Sequence, residues 1–193
     1  MLFSYKDWCN EFSTRLFNTR RWEGFQYLAR ELSKVESPKL LEVGCIRTKD
    51  GWESDGQSTR VWDWMVHKSD GRCYSFDISE KSVSLARSLC PNVGVYLADG
   101  MDAILSNHYS CSENLDLLFL DGMDFTGPHS SNAWMQHIGL LACAWPNLKK
   151  GCLIAVDDCV DNNEGKHVLI KDFFNRMGIK PEVESYMHIW RMP

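Results

Sequence analysis

Carboxylates recur in this chain at places where chemistry is plausible. LLEVGC places Glu42 ahead of Gly44, YSFDIS ends an apolar run on Asp77, and YLADGMD ends one on Asp99. LFLDGMD ends on Asp121, and IAVDDC ends on Asp157 and Asp158. Like charges gathered at one edge of a fold repel, so stability alone gives no reason to collect them. A ligand rich in hydroxyls and amines, or a cation, would relieve the repulsion. A carboxylate suits a vicinal diol in particular, because it presents two acceptor oxygens. The plainer reading of Asp77 and Asp99 is that each caps the helix that follows, and capping and ligand contact are compatible.

The surrounding pattern positions these residues. Trp8, Phe12 and Leu16 recur at helical spacing, and Phe25, Leu28, Ala29, Leu32 and Val35 form one apolar face, so residues 1–37 read as N-terminal helices. Ser37-Pro38 ends the second of them. From residue 38 to 193 strands and helices alternate: strands over 40–45, 73–78, 93–98, 115–120 and 152–156, with helices over 58–67, 80–89 and 101–107. Ser79 is placed to cap the helix at 80–89. Further helices are marked by Trp134, Ile138, Leu141 and Trp145, and by Ile170, Phe173, Phe174 and Met177. The tail PEVESYMHIWRM supplies one or two terminal strands. The expected fold is a single α/β domain over 1–193, a Rossmann-like, doubly wound, mostly parallel sheet with helices on both faces, preceded by the N-terminal helices. In such a sheet a ligand lies beyond the carboxyl ends of the strands, where the acidic residues collect.

Bulk properties narrow the class. The net charge of -5 argues against a nucleic-acid partner, and Arg20-Arg21 is the only hint of a basic patch. No apolar run approaches the roughly eighteen residues that span a bilayer, and the N-terminus lacks the clean apolar stretch of a signal peptide, so a cytoplasmic protein without a membrane partner is expected. The eight cysteines are scattered without a CxxC pair, which suits buried reduced thiols better than disulfides or zinc. The aromatic N-terminal helices offer a surface for a homodimer.

In order and spacing the strand-end residues resemble the class I methyltransferases that use S-adenosylmethionine, over roughly residues 38–178. LLEVGC, with Gly56 and then Ser58-Thr59, resembles their first motif, where strand one turns under the methionine end of the cofactor. The resemblance implies cofactor contacts from Glu42, Gly44, Gly56, Ser58 and Thr59, from Asp77 and Ile78 at the ribose, from Asp99, Gly100 and Met101 beside the adenine, and from Asp121. It also implies a helix N-terminus at GQST presenting N–H groups to the cofactor carboxylate.

LDLLFLDG followed by NLKKGCLIAVDDC resembles, more narrowly, the metal-dependent O-methyltransferases of the catechol and sugar types. That resemblance places a magnesium or manganese site on Asp121, Asp157 and Asp158, with Asp158 standing where the pattern has Asn. Asp still offers an oxygen ligand. Such a cation would lower the pKa of a substrate hydroxyl and aim it at the methyl group. The other reading is that Asp157 and Asp158 cap a loop while Asp121 alone faces substrate. The lysine of the catechol type falls on Asp124 here and is absent, so the catalytic candidates are Asp121 and, as base, His129. His108 is a weaker alternative, and His137 sits on an apolar helix face and packs.

The implied activity is O-methylation of a small hydroxylated substrate such as a sugar or polar metabolite. The alternative is a cofactor-binding or scaffold protein without turnover, suggested by the missing lysine and the altered first loop. A nicotinamide dehydrogenase is disfavoured because the compact GxGxxG is absent. Gly56 follows Gly44 by twelve positions, so IRTKDGWESD reads as an insertion over the methionine end of the pocket. Within it, Trp52 is either a lid residue or a loop anchor. Trp134 and Trp145 read as core.

Overall fold

Two amphipathic helices open the chain, α1 (Tyr5–Leu16) and α2 (Trp22–Leu32). The structure is a computed structural model that describes residues 2–107, 111–124, 130–160 and 164–193, with Ser130 described by its backbone only. Ser4 caps α1 by accepting from the Asp7 N–H, and Trp8, Phe12 and Leu16 turn inward as their spacing requires. Trp8 stacks on Trp22 with ring centroids 5.6 Å apart, and Phe12 meets Trp64 edge-on. This aromatic face is therefore consumed within the chain.

The alternating segment runs β1 (Lys39–Val43), α3 (Ser58–Ser69), β2 (Arg72–Asp77), α4 (Glu80–Leu89), β3 (Val93–Leu97) and α5 (Gly100–Leu105). It continues through β4 (Leu117–Leu120), α6 (Ser130–Ala144), β5 (Leu153–Val156) and a small hairpin, β6 (Cys159–Val160) with β7 (Glu164–Gly165). Helix α7 (Val168–Arg176) and strands β8 (Val183–Glu184) and β9 (His188–Arg191) complete the chain. The sheet order is β3-β2-β1-β4-β5-β9-β8. The first five strands are parallel and β9 is antiparallel to β5. The expected doubly wound α/β sheet is present, and the tail supplies its antiparallel edge. The hairpin β6–β7 was not foreseen, since two-residue strands leave no periodic signal.

Alternation along β1 assigns its side chains to two cores. Leu40 packs with Trp8, Phe25, Leu28 and Trp62 beneath α1–α4. Leu41 and Val43 pack on the opposite face with Ile104, Leu140 and Phe174, beneath α5–α7. Strand β4 is buried on both faces, as its LLFL sequence demands. Chain direction across the sheet reverses between β1 and β4, so their carboxyl ends open a crevice at the switch point.

Candidate active site

Two adjoining cavities, of about 150 and 230 Å³, fill that crevice and share Gly44, Asp77, Ile78, Gly122 and Met123 as walls. Asp99, Gly100 and Gln136 complete the smaller one. Ser58, Asp121, Arg47 and Asp55 line the larger. Gly44 is what lets β1 end there: its φ is +93°, and a Cβ would lie 2.6 Å from the Asp121 carbonyl oxygen. A wider surface hollow between the N-terminal arm and α3, with Leu2, Asp7 and Trp64 in its wall, contains none of the residues expected to do chemistry.

Asp77 ends β2 with both oxygens engaged by the backbone. Oδ2 accepts from the Cys45 N–H at 3.0 Å and Oδ1 from the Ser79 N–H at 2.7 Å. The carboxylate is thereby fixed in orientation and ties β2 to the turn after β1. Ser79, not Asp77, caps α4, through the Ser82 N–H. Asp99 is the N-cap of α5, accepting from Met101 and Asp102, and also a cavity wall. Two apolar side chains at these walls are open to solvent, Ile78 at 76% and Met123 at 47% exposure.

Four residues expected at the cofactor do not line the crevice. Glu42 lies one residue before the end of β1, so the strand's alternation turns it into the α3 face, where it is fully buried. It accepts there from Thr59 Oγ1 at 2.7 Å, Trp62 Nε1 at 2.8 Å and Ser75 Oγ at 2.5 Å. Burial pushes its carboxyl up to about 7. Thr59 is equally buried, bridging Glu42 and the Ile46 N–H. Gly56 (φ +73°) makes room for a side chain: a Cβ there would lie 2.5 Å from Arg21 Cδ. Met101 is half-buried and packs against the core beneath α5–α7.

The three carboxylates expected at a metal do come together. Oxygens of Asp121, Asp157 and Asp158 lie within 4.8 Å of one another. Two buried cations already engage them. Lys166 Nζ, 1% exposed, is 2.6 Å from Asp121 Oδ1 and 2.7 Å from Asp158 Oδ2. Arg21 places Nε 2.5 Å from Asp157 Oδ2 and a terminal nitrogen 2.8 Å from Asp158 Oδ1, while its guanidinium lies over the Tyr186 ring. The Tyr186 hydroxyl donates to Asp158 Oδ1. Burial pushes the Asp121 and Asp157 carboxyls up. It pushes Asp158 the same way, but Lys166 and Arg21 outweigh it and hold that carboxyl below the usual range. One acceptor in the cluster, Asp157 Oδ1, is buried without a partner among the described residues.

Arg21 and Lys166 were not anticipated. Arg21 belongs to the Arg20-Arg21 pair read as a hint of a basic patch, and instead it points inward as a counterion. Lys166 arrives from the end of the unforeseen hairpin, so no local pattern announces it. The insertion between Gly44 and Gly56 folds on itself, with Asp55 accepting from Thr48 Oγ1 and pairing with Arg47. Arg47 also reaches Asp124 at 2.6 Å, bridging the insertion to the turn after β4 across the larger cavity. Trp52 points away from the crevice. It packs on Phe12 between the guanidinium groups of Arg15 and Arg60, each 5.2 Å from its ring, and is a loop anchor. His137 is buried, its Nδ1 2.7 Å from the Ala133 carbonyl oxygen. Trp145 packs edge-on against Phe173 and Trp134 is half-buried. His108 and His129 lie outside the described residues.

No protein-family model and no curated protein matches the sequence. Solved structures do match the fold. One is the MycE methyltransferase of the mycinamycin biosynthetic pathway, in complex with Mg, SAH and mycinamycin VI, at TM-score 0.65 and 15% identity over 99% of this chain. The chain spans only 55% of that protein's length. CalS11, a TDP-rhamnose 3'-O-methyltransferase of calicheamicin biosynthesis, matches at TM-score 0.64 and 12% identity, over 96% of this chain and 86% of its own. The O-methyltransferase NovP matches at TM-score 0.58 and 14% identity, over 90% and 79%. The chain has the fold that these methyltransferases share.

Proposed function

We propose that the protein is an S-adenosylmethionine-dependent O-methyltransferase of a small hydroxylated substrate, with the cofactor in the paired cavities at the β1–β4 switch. The observation that carries this is the conjunction of Asp77, Asp99, Ile78 and Met123 around one crevice. A fixed carboxylate with spare lone pairs suits a ribose diol. Exposed Ile78 and Met123 are apolar surface that a flat aromatic ring would cover. Helix α3 is twelve residues long, has no side-chain cap at its N-terminus and no acidic residue in its first turn, which suits it to a carboxylate. Ser58 and Arg47, beside that terminus, border the larger cavity.

The chain's own residues then divide the work. Asp77 and Asp99 orient the nucleoside, and α3 with Arg47 holds the amino-acid end. Asp121, at the larger cavity, faces the acceptor, and holding donor and acceptor in line supplies much of the rate. The donor set of Asp121, Asp157 and Asp158, with the orphaned Asp157 Oδ1, fits a hard divalent cation once Lys166 gives way. Bound there, magnesium or manganese would polarise the acceptor hydroxyl. MycE has been solved with Mg and SAH, and CalS11 acts on TDP-rhamnose. A sugar-bearing or similarly polar acceptor is the corresponding substrate class for this chain.

Calorimetric titration of S-adenosylmethionine and S-adenosylhomocysteine, with and without magnesium and with chelator, tests the reading. Saturable binding of both is expected. Binding of neither would remove the assignment, and cofactor binding with no metal seen by direct titration or anomalous scattering would remove the cation alone.

A further inference from the structure

A second cluster lies beside the carboxylates and takes no part in the reading above. Cys159 opens β6, His167 immediately precedes α7, and His188 opens β9. All three are buried, and one ligand atom from each lies within 4.8 Å of the others. The two imidazole rings face each other with centroids 4.1 Å apart. Among the described residues, neither buried Nδ1 atom has a hydrogen-bond partner. Buried polar atoms are almost always satisfied, so two orphans in adjacent rings beside a thiol require an explanation. The Cys159 thiol donates to the Val156 carbonyl oxygen at 3.2 Å, and that of Asp157 lies 3.9 Å away.

We propose that Cys159, His167 and His188 form a binding site for a zinc-class transition-metal ion, distinct from the Asp121–Asp157–Asp158 cluster. The donor chemistry separates the two. One thiolate and two imidazoles are the soft and borderline ligands that zinc and cobalt prefer, whereas three carboxylates suit magnesium or manganese. Burial holds both histidines at about 4, so each is neutral at physiological pH and keeps a ring lone pair for a ligand. Burial also pushes the Cys159 thiol up, so the ion must ionise it: one metal–sulfur bond forms and one proton leaves to solvent. Three protein ligands leave a fourth position open.

The site would tie together three segments, the β6–β7 hairpin, the start of α7 and strand β9. Those segments carry or adjoin Asp158, Lys166 and Tyr186, so an ion there would brace the carboxylate network from behind. The chain spacing hides the set, since its members are eight and twenty-one residues apart and no CxxC or HxxxH pattern marks them. The proposal is independent of the cofactor reading.

The test is metal analysis of the purified full chain after stripping with chelator, reloading with Co(II) and gel filtration. About one equivalent of retained cobalt is expected, with visible bands of a tetrahedral ion and a near-ultraviolet thiolate-to-cobalt band. Carboxylate ligands give no thiolate band, so the spectrum assigns the ion to this cluster and not to the aspartates. Cys159→Ser should lose that band while retaining native circular dichroism, and His188→Gln should retain less than half of the metal. No retained cobalt in the wild-type chain would overturn the proposal whether or not either variant folds. A thiolate band that persists in folded Cys159→Ser would overturn it equally.

Discussion

The Lys166 ammonium sits 2.6 Å from Asp121 Oδ1, in the position a divalent cation would need in order to use that carboxylate. The same nitrogen is 2.7 Å from Asp158, so lysine and metal compete for two of three ligands. Lys166→Met should therefore bind Mn(II) more tightly than the wild type, on the order of tenfold, in an electron paramagnetic resonance titration. Without metal the variant leaves carboxylates unpaired and should be less stable by about 3 kcal/mol. Added Mn(II) should raise its melting temperature more than that of the wild type. Equal Mn(II) affinity in both proteins would show that the lysine is not a competitor.

Asp77 should govern cofactor affinity through two hydroxyl contacts. Hydrogen bonds to a charged group are worth about 1.5–3 kcal/mol each, so Asp77→Ala should weaken S-adenosylhomocysteine binding by about a hundredfold or more. Asp77→Asn keeps one acceptor oxygen and should fall between the two. Calorimetry reads both, and unchanged affinity in Asp77→Ala would refute the ribose role. Because Asp77 also holds the Cys45 and Ser79 N–H groups, the folded state of each variant is checked by circular dichroism.

Much of the architecture was legible because strands β1 to β5 are apolar runs that end on acidic or glycine residues, and such runs have few alternatives to a parallel sheet. Of the residues that the family resemblance assigned to the cofactor, Gly44, Ser58, Asp77, Ile78, Asp99, Gly100 and Asp121 lie around one crevice. Glu42 was misplaced by a single residue of register, which in a strand reverses the direction of the side chain. Arg21 and Lys166 were not legible as site residues. Their partners are 136 and 45 residues away, and contacts of that range follow from the assembled fold and not from spacing. Trp52 has no periodic partner in the sequence, and only the position of α1 makes it an anchor.

Gly56 is expected to be intolerant for a reason unrelated to cofactor contact. Gly56→Ala adds a methyl group 2.5 Å from Arg21 Cδ at a φ of +73°. It should destabilise the fold by about 1–3 kcal/mol in urea unfolding. Arg21→Ala, which removes both the counterion of Asp157 and Asp158 and the methylene that meets Gly56, should cost about 3–5 kcal/mol. The two sites meet, so the double variant should be less destabilised than the sum of the single ones. Strict additivity would mean that Gly56 does not make room for Arg21.

Glu42 makes stability depend on pH in a defined direction. In the unfolded chain its carboxyl ionises near 4.5, and in the fold burial defers ionisation to about 7. Between those values the folded protein holds more protons, so its stability falls as pH rises through the window and levels off above it. The fall attributable to Glu42 is at most roughly 3 kcal/mol. Glu42→Gln mimics the protonated acid, since its carbonyl accepts from Trp62 and its amide donates to the Thr59 and Ser75 hydroxyls. Urea unfolding at several pH values from about 4.5 to about 8 should show a flatter profile for the variant and a stability advantage over the wild type above neutrality. Asp121 and Asp157 are shifted in the same direction and remain in both proteins, so the difference between the two profiles isolates Glu42. Parallel profiles would mean that Glu42 ionises at its ordinary value despite its burial.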